Sequence, residues 1–561
     1  EIKIPLYEVQ SGDMVLPIYL TYHASGIKLS DAAGWTGLGW NLVAEPVISR
    51  TIQGQCDDPK TMTCKFDKDA YWKQGLYYIE NLTKVSKEEP DEYYYRLPNK
   101  QGMFMYAMEP VDASRIFLPL PYENIRIHWT GAFFRIMDDD GTIYNFDGGK
   151  DIGGRELDVI GWKASSIVAP NQKDSISFIY NSWVNRYFSE SYNDYIVVKD
   201  DFSWKQDLYA DRRNVPLNCD VPSLPDEWMQ DPIIVSRLNN TTSNYQVTDA
   251  GEIVSDGSVP DKGTQDRRIY TDGHPLSEIR FPQGTVVFTQ DNHYQRLQKI
   301  TVRDNNGALV REILFDYLTS SYNINNRYFL KSIVITNGAG TARETYSFGY
   351  CNPGSLPVPG TRAIDYWGYF NNVFHRADET LVPWQTIDAS RGYFTPEGYY
   401  RTTGITLNIG SKLSRESNEK YMEYGTLDSI AYPTGSVDVF SYEAHRYKTK
   451  EGEVRLAGGL RVKEIKTINK EGNMKIRTFE YGTDGCGTPA ATNPLDYLRL
   501  VQGMYIGDPL TRWFMGGSVS YAPEEGRYIT ARHRTFFCNS PRTMTFDGGS
   551  SVMYNYVTEY N

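Results

Sequence analysis

One outline recurs six times along this chain and limits what the chain can become. WKASSIVAPNQKDSISFIY (162–180), LSEIRFPQGTVVFTQ (276–290), LQKITVRDNNGALVREILFDY (297–317), LKSIVITNGAGTARETYSFGY (330–350), LDSIAYPTGSVDVFSYE (427–443) and LRVKEIKTINKEGNMKIRTFEYG (460–482) share it. Each places an Ile-bearing apolar strand first, then a turn of Pro, Asn or Gly, then a strand that mostly ends Phe-x-Tyr. Each unit therefore reads as a β-hairpin. A lone hairpin cannot bury its apolar face, so the units are expected to add strand to strand in one extended antiparallel sheet. The expected class is all-β, with long loop inserts and few short helices.

Composition agrees with that expectation. Aromatic residues are 14 % of the chain, with 43 Tyr and 11 Trp beside 47 Gly and 28 Pro, a mixture that suits many short strands joined by turns. With 561 residues, the chain can fill several cores or one large repetitive architecture. The formal net charge of −12, without a block of five like charges, argues against a nucleic-acid partner and gives an anionic lipid surface little to attract. No apolar run approaches the length of a membrane-spanning helix. EIKIPLYEVQ, at the start, lacks a basic segment followed by an apolar one; a processed exported protein would look the same, so the compartment stays open.

Outside the repeats, Met14, Leu16, Ile18, Leu20 and Tyr22 alternate as a strand, with Pro17 pointing to an edge position. GWTGLGWNLVAEPVISR (34–50) follows, with three glycines and two tryptophans in seven positions. A dinucleotide-binding turn would need glycine where Leu42 stands and a helix after it, whereas strands flank this stretch on both sides. A structural corner fits better, since glycine lets backbones approach and Trp35 and Trp40 bring broad apolar faces. RIFLPL, NIRIHW and FFRIM read as strands, and FFRIMDDDGTIYNF as a hairpin closed by Asp140-Gly141. Short helices are expected at DKDAYWKQG (67–75) and DEWMQ (226–230), and the segments 181–275 and 351–420 read as long loops or inserts.

No metal, cofactor or catalytic set is expected. Asp138, Asp139 and Asp140 fail the EF-hand spacing, and Asp-Gly is ordinary turn chemistry. The six cysteines (56, 64, 219, 351, 486 and 538) form no CxxC pair; Cys56 and Cys64 are close enough in sequence to bridge a loop. His23 and Ser25, two residues apart, share a face without making a relay, and no G-x-S-x-G elbow occurs. Asp365, Tyr366, Trp367 and Tyr369 in AIDYWGYF would suit a sugar platform, against the alternative of a buried aromatic strand. His445 and Arg446 read as the exposed end of a strand, and Arg50 as the partner of a buried carboxylate or a carbonyl. A glycosidase pair cannot be chosen among 70 acidic residues.

Several phrases together resemble a known family. The hairpin outline is similar to the YD (RHS) repeat, and PLYEVQSGDMVLPIYLTYHASGIKLSD, GWTGLGWNL with PVISRTI, AIDYWGYFNN (363–372), EKYMEYGTLDSIAYPTGSVDVFSYE and GGLRVKEI (458–465) resemble large surface proteins of that kind from Bacteroidetes. The opening also resembles the N-terminal region of SpvB-like proteins and of the B component of insecticidal toxin complexes. The likeness covers most of the chain and is weakest over 181–275 and the last 70 or so residues. It implies a continuous β-sheet spiral that can enclose a cavity and house cargo. No stretch resembles the self-cleaving core signature of such shells, and no cargo-like domain follows TMTFDGGSSVMYNYVTEYN. A partial shell is therefore expected, either the first part of a longer protein or a standalone form adapted for surface recognition.

The resemblance divides the chain into an SpvB-like N-terminal β region (1–160), a YD-like hairpin region (161–350) with its polar insert at 181–275, a Tyr/Pro/Gly-rich connection (351–426) and a second YD-like region (427–561). It implies a non-enzymatic exported scaffold at the cell or outer-membrane surface, in a toxin-delivery or contact system or in an outer-membrane assembly. Protein partners or enclosed cargo are expected, with a lipid anchor upstream of the chain as an option. A surface glycan-binding module and a hydrolase of polysaccharide or peptide are the alternatives from other classes.

Overall fold

The computed structural model describes residues 2–52, 91–107, 116–154, 158–181, 185–190, 194–201, 229–230, 233–238, 241–247, 253–255, 268–291, 296–319, 327–376, 379–394, 400–507, 529–539, 544–546 and 549–561. Every named strand pair is antiparallel, and α-helix among the described residues is confined to single turns at Glu419–Met422 and Pro494–Tyr497. The protein is all-β.

A sixteen-stranded sheet forms its main wall. The strands are Arg126–Trp129, Phe134–Met137, Ile143–Phe146, Ser166–Val168, Ser175–Tyr180, Leu276–Phe281, Gly284–Gln290, Leu297–Asp304, Leu309–Thr319, Tyr328–Asn337, Arg343–Tyr350, Leu427–Ala431, Val437–Lys448, Val454–Ile468, Met474–Tyr481 and Val557–Tyr560. They lie side by side in the order in which they occur along the chain. All six repeat units are hairpins of this one sheet, and longer excursions leave one strand and return at the adjoining place. The hairpin at Asp140-Gly141 also forms, with Met137 opposite Ile143 and Gly141 at φ 88°.

The excursions are more ordered than their polar, turn-rich sequences suggest. Within 181–275, Asn185–Glu190 and Arg268–Gly273 join an eight-stranded sheet with strands from the first 163 residues. Tyr195–Asp201 lies between Ile233–Leu238 and Ile529–Phe537 in a six-stranded sheet. Within 351–420, Gln385–Phe394 and Tyr400–Ile409 make a hairpin. These pairings join distant parts of the chain, so no local pattern announces them. The expected helix at DEWMQ gives way where it is described: Met229–Gln230 is a strand paired with Tyr393 and Gly392, while residues 226–228 and the DKDAYWKQG segment lie outside the described residues.

A shared device explains why the repeats stack. Their first strands carry two large apolar residues three apart: Leu276 and Ile279, Leu297 and Ile300, Leu330 and Ile333, Leu427 and Ile430, all of them buried, and Val462 with Ile465 at the margin of the core. In a regular strand, such residues would face opposite sides. The register shows how both turn inward. Opposite the preceding unit, the pairing jumps from Glu278 to Leu276, from Lys299 to Leu297, from Ser332 to Leu330, from Ser429 to Leu427 and from Glu464 to Val462. One residue is skipped each time, which is a β-bulge.

The Phe-x-Tyr ending completes the unit. Tyr180 donates its hydroxyl to the Ala164 carbonyl at 2.6 Å, Tyr317 to Leu297 at 2.6 Å, Tyr350 to Leu330 at 2.7 Å, Tyr442 to Leu427 at 2.6 Å and Tyr481 to Val462 at 2.5 Å. Each acceptor belongs to the first strand of the same unit, or leads into it. From Leu297 onward, the same residue sits opposite the last side chain of the unit before, so every unit is fastened on both sides. The 276–290 unit ends in Gln290 and lacks this tyrosine.

The N-terminal strands Ile2–Ser11, Met14–Tyr22 and Trp40–Val43 form a small sheet of their own, with Leu16, Ile18, Leu20 and Tyr22 buried. Met14–Tyr22 is its central strand, yet Pro17 precedes the stretch Tyr19–Tyr22 that the third strand pairs, so it holds the edge-like position expected of it. Residues 22–40 then run along the rim of the wall as a strap. Ser25 O accepts from Leu460 N at 2.9 Å, Tyr22 Oη from Leu427 N at 2.9 Å and Trp35 O from Leu297 N at 2.9 Å. Leu38 N donates to Tyr328 O at 2.9 Å, Tyr328 Oη to Gly34 O at 2.7 Å, and Trp40 Nε1 to Tyr350 Oη at 2.8 Å.

This arrangement accounts for the glycines of GWTGLGW. A Cβ on Gly37 would stand 3.0 Å from Leu330 N, and one on Gly39 would stand 2.5 Å from the Tyr22 ring, with both residues at positive φ. Trp40 packs on Tyr22 and Phe348, and Trp35 on Phe288, so the corner is bolted to the wall by its aromatic faces.

Tyr350 serves both unit and strap, so Tyr350→Phe leaves a buried carbonyl and a buried indole N–H without their partner. It should cost about 1–3 kcal/mol and lower the urea midpoint more than Tyr481→Phe, whose hydroxyl serves one half-buried carbonyl. Equal midpoints for both variants and the parent protein would dismiss the clamp.

Candidate functional site

The strap borders a pocket of about 490 Å³ that is open to solvent on one side. Its lining includes His23, Ser25, Ser30, Asp31, Asn41 and Trp40, together with backbone of the glycine corner. His23 and Ser25 thus do share one space, but no hydrogen bond joins them, and Ser25 associates instead with the Tyr369 phenol. Asp31 accepts from Lys28 N through Oδ2 at 2.9 Å, and burial raises its carboxyl above the usual range against the pull of Lys28 and Arg327. Arg327 is buried beneath, donating to Leu29 O at 2.5 Å and to Pro357 O; desolvation lowers its pKa to about 10. A sequence reading had no means of finding Asp31, Asn41 and Arg327, since none stands in a recognisable motif.

The AIDYWGYF aromatics do not form an open platform. Asp365, Trp367 and Tyr369 are all buried. Asp365 Oδ1 accepts from Trp367 N and Tyr369 N at 2.9 Å each, and Oδ2 from the Ser417 hydroxyl at 2.5 Å, so the carboxylate closes a turn instead of facing a ligand. Beneath it, the fully buried Arg415 donates to Ile364 O, Asp365 O, Leu381 O and Cys538 O. Arg362 pairs with buried Asp194 at 2.5 Å, and Asp194 also accepts from Leu381 N at 2.9 Å. Four ionic groups and four carbonyls tie these segments into a polar knot. Cys538 lies in it, its thiol pushed up to about 12 by burial, which leaves it unreactive.

The remaining candidates resolve individually. Asp138 is buried and accepts from Lys100 Nζ at 2.6 Å and Asn99 Nδ2 at 3.2 Å, while Asp140 accepts from Thr142 N at 2.8 Å; the acidic triplet is turn and ion-pair chemistry. No group of three or more His, Cys, Asp or Glu is arranged for a metal among the described residues. Cys351, Cys486 and Cys538 are free thiols, and Cys56 and Cys64 lie outside the described residues. Arg50 does meet a buried carboxylate, Asp91, at 3.6 Å.

His445 departs from expectation: it is buried, not exposed. Pairing along Val437–Lys448 slips between Ala444 and His445, opposite Gly458 and Gly459, so two successive side chains turn inward. His445 Nδ1 lies 3.0 Å from Tyr554 Oη, beside Arg461, which stacks on Tyr481 and Tyr554 and pairs with Glu443 at 2.7 Å. Burial, and then the Arg461 charge, lower the imidazole pKa to about 4.

No protein-family model matches the chain, and no curated protein sequence matches it either. Among solved structures, it is similar to a porin-like protein from Bacteroides uniformis, at 9 % identity and a TM-score of 0.14, covering 61 % of this chain and 96 % of that one. It is also similar to a TcdB2-TccC3-TEV structure, at 9 % identity and a TM-score of 0.12, covering 84 % of this chain and 28 % of that one. No helix among the described residues is long and apolar enough to cross a membrane.

A histidine held neutral with a depressed pKa contributes stability that is complete above its unfolded value of 6.5 and is lost as pH falls toward about 4. The parent protein should therefore lose thermal stability across this window more steeply than His445→Gln. Parallel curves for the two would refute the buried, neutral imidazole.

Proposed function

We propose that the chain is a non-enzymatic, exported β-scaffold of the RHS/YD kind, working at the bacterial cell surface or outer membrane as a wall in a toxin-delivery or contact system or in an outer-membrane assembly. One observation carries the reading: sixteen strands side by side in chain order, four of whose units share a bulge and a tyrosine clamp. Such a wall lengthens by serial addition, each unit bracing the next, which is what enclosing or spanning a surface asks of a fold. Its conspicuous buried charges, Arg415, Asp194, Arg362 and Asp365, are all engaged in fastening segments together. Function in this reading lies in surface and enclosed space, with protein partners or cargo as the ligands.

Gentle detergent extraction of native membranes, followed by size-exclusion chromatography, tests the assembly. The chain should elute with a stoichiometric companion protein and be cut by protease added to intact cells. A monodisperse, partner-free chain that external protease does not reach would refute the proposal.

A further inference from the structure

We infer that the strap cavity is a binding site for a neutral polyhydroxylated ligand, a single sugar ring or comparable polyol, read by Asp31, Asn41, His23 and Ser30. The inference does not rest on the scaffold reading. At about 490 Å³, the cavity falls within the range of small-molecule sites, and it combines an apolar floor with a few convergent polar groups. Ile27, Leu38 and Trp40 supply the floor, all of them buried. The polar groups are largely unspent. Asp31 commits only Oδ2, to the Lys28 amide, which leaves Oδ1 for a ligand. His23, Ser30 and Asn41 line the same space, and their side chains make no hydrogen bond to another of the described residues.

Charge selects the ligand class. The lining holds one carboxylate and neither Lys nor Arg, so an anion finds no cationic side chain in it to pair with. A cation is disfavoured from the other side. Lys28, whose Nζ lies over the Tyr369 ring at 5.7 Å, and Arg327, bound to two carbonyls, already place positive charge against Asp31. What remains is a neutral molecule rich in hydroxyl donors. A carboxylate oxygen accepts hydroxyls, the Asn41 amide both donates and accepts, and imidazole and serine hydroxyl can do either.

The test is isothermal titration of the full chain with glucose, galactose, mannose and N-acetylglucosamine, beside glucosamine and glucuronate as cationic and anionic analogues. At least one neutral sugar should bind saturably, in the millimolar range or tighter, and better than either charged analogue. Asp31→Asn should weaken it about tenfold, as expected for loss of hydrogen bonds to a charged acceptor. Asn41→Ala, a change at an exposed position, should weaken it as well, with the circular dichroism spectrum unchanged. Tyr122→Ala, at a surface residue remote in sequence and 81 % exposed, should leave it unaltered. Absence of saturable binding by all four neutral sugars, tighter binding of a charged analogue, or affinity unchanged in both Asp31→Asn and Asn41→Ala would overturn the assignment.

Discussion

The architecture depends on a conflict of periods. The first strand of the five later units holds two apolar side chains three residues apart, and a strand alternates every two. If the strand stayed regular, one of each pair would face water; for fully buried residues such as Leu330 and Ile333, exposure would cost about 1.5–3 kcal/mol each. Skipping one residue resolves the conflict but leaves the ladder locally broken. The tyrosine that ends each Phe-x-Tyr strand repairs the break by donating to the carbonyl at that point. Bulge and clamp are thus one device, repeated at the units that begin with Leu297, Leu330, Leu427 and Val462.

The strap follows from the same geometry. Where the pairing slips, an amide such as Leu297 N or Leu427 N is turned away from its neighbour strand, and buried amides must be paired. Trp35 O and Tyr22 Oη receive these two, and Ser25 O receives Leu460 N. The strap can lie this close only because Gly37 carries no side chain toward the wall and Gly39 none toward the Tyr22 ring, while Trp35 and Trp40 anchor it on Phe288 and Phe348. The puzzling density of Gly and Trp between 34 and 40 is therefore the counterpart of irregularities nearly 300 residues or more away.

Much of the wall could be read from the sequence because its causes are local. Alternation, a turn residue and a Phe-x-Tyr ending sufficed to place all six hairpins, and Asp140-Gly141 sufficed for a seventh. The spacing of Leu297 and Ile300 was equally visible but fits no regular strand, so its meaning emerged only with the register. His445, read as the exposed end of a strand, is buried instead because the strand continues to Lys448 and its pairing slips opposite Gly458 and Gly459. Arg415 could not have been anticipated: its acceptors are backbone carbonyls 34 to 123 residues distant, and carbonyls carry no signature. In the cavity, His23 and Ser25 stood in one phrase, whereas Asp31 and Asn41 became companions only when the strap bent.

The length of the strap's reach has a kinetic meaning. Each unit of the wall can settle against the one made just before it, so most of the sheet can grow as synthesis proceeds. The strap cannot. It leaves the ribosome before the wall it fastens to, and its partner at Leu427 is 405 residues downstream of Tyr22. Until that strand exists, an early, aromatic-rich segment waits without its seat, and loop closure over that distance comes late. Assembly thus seats last a segment that was made before the wall that holds it.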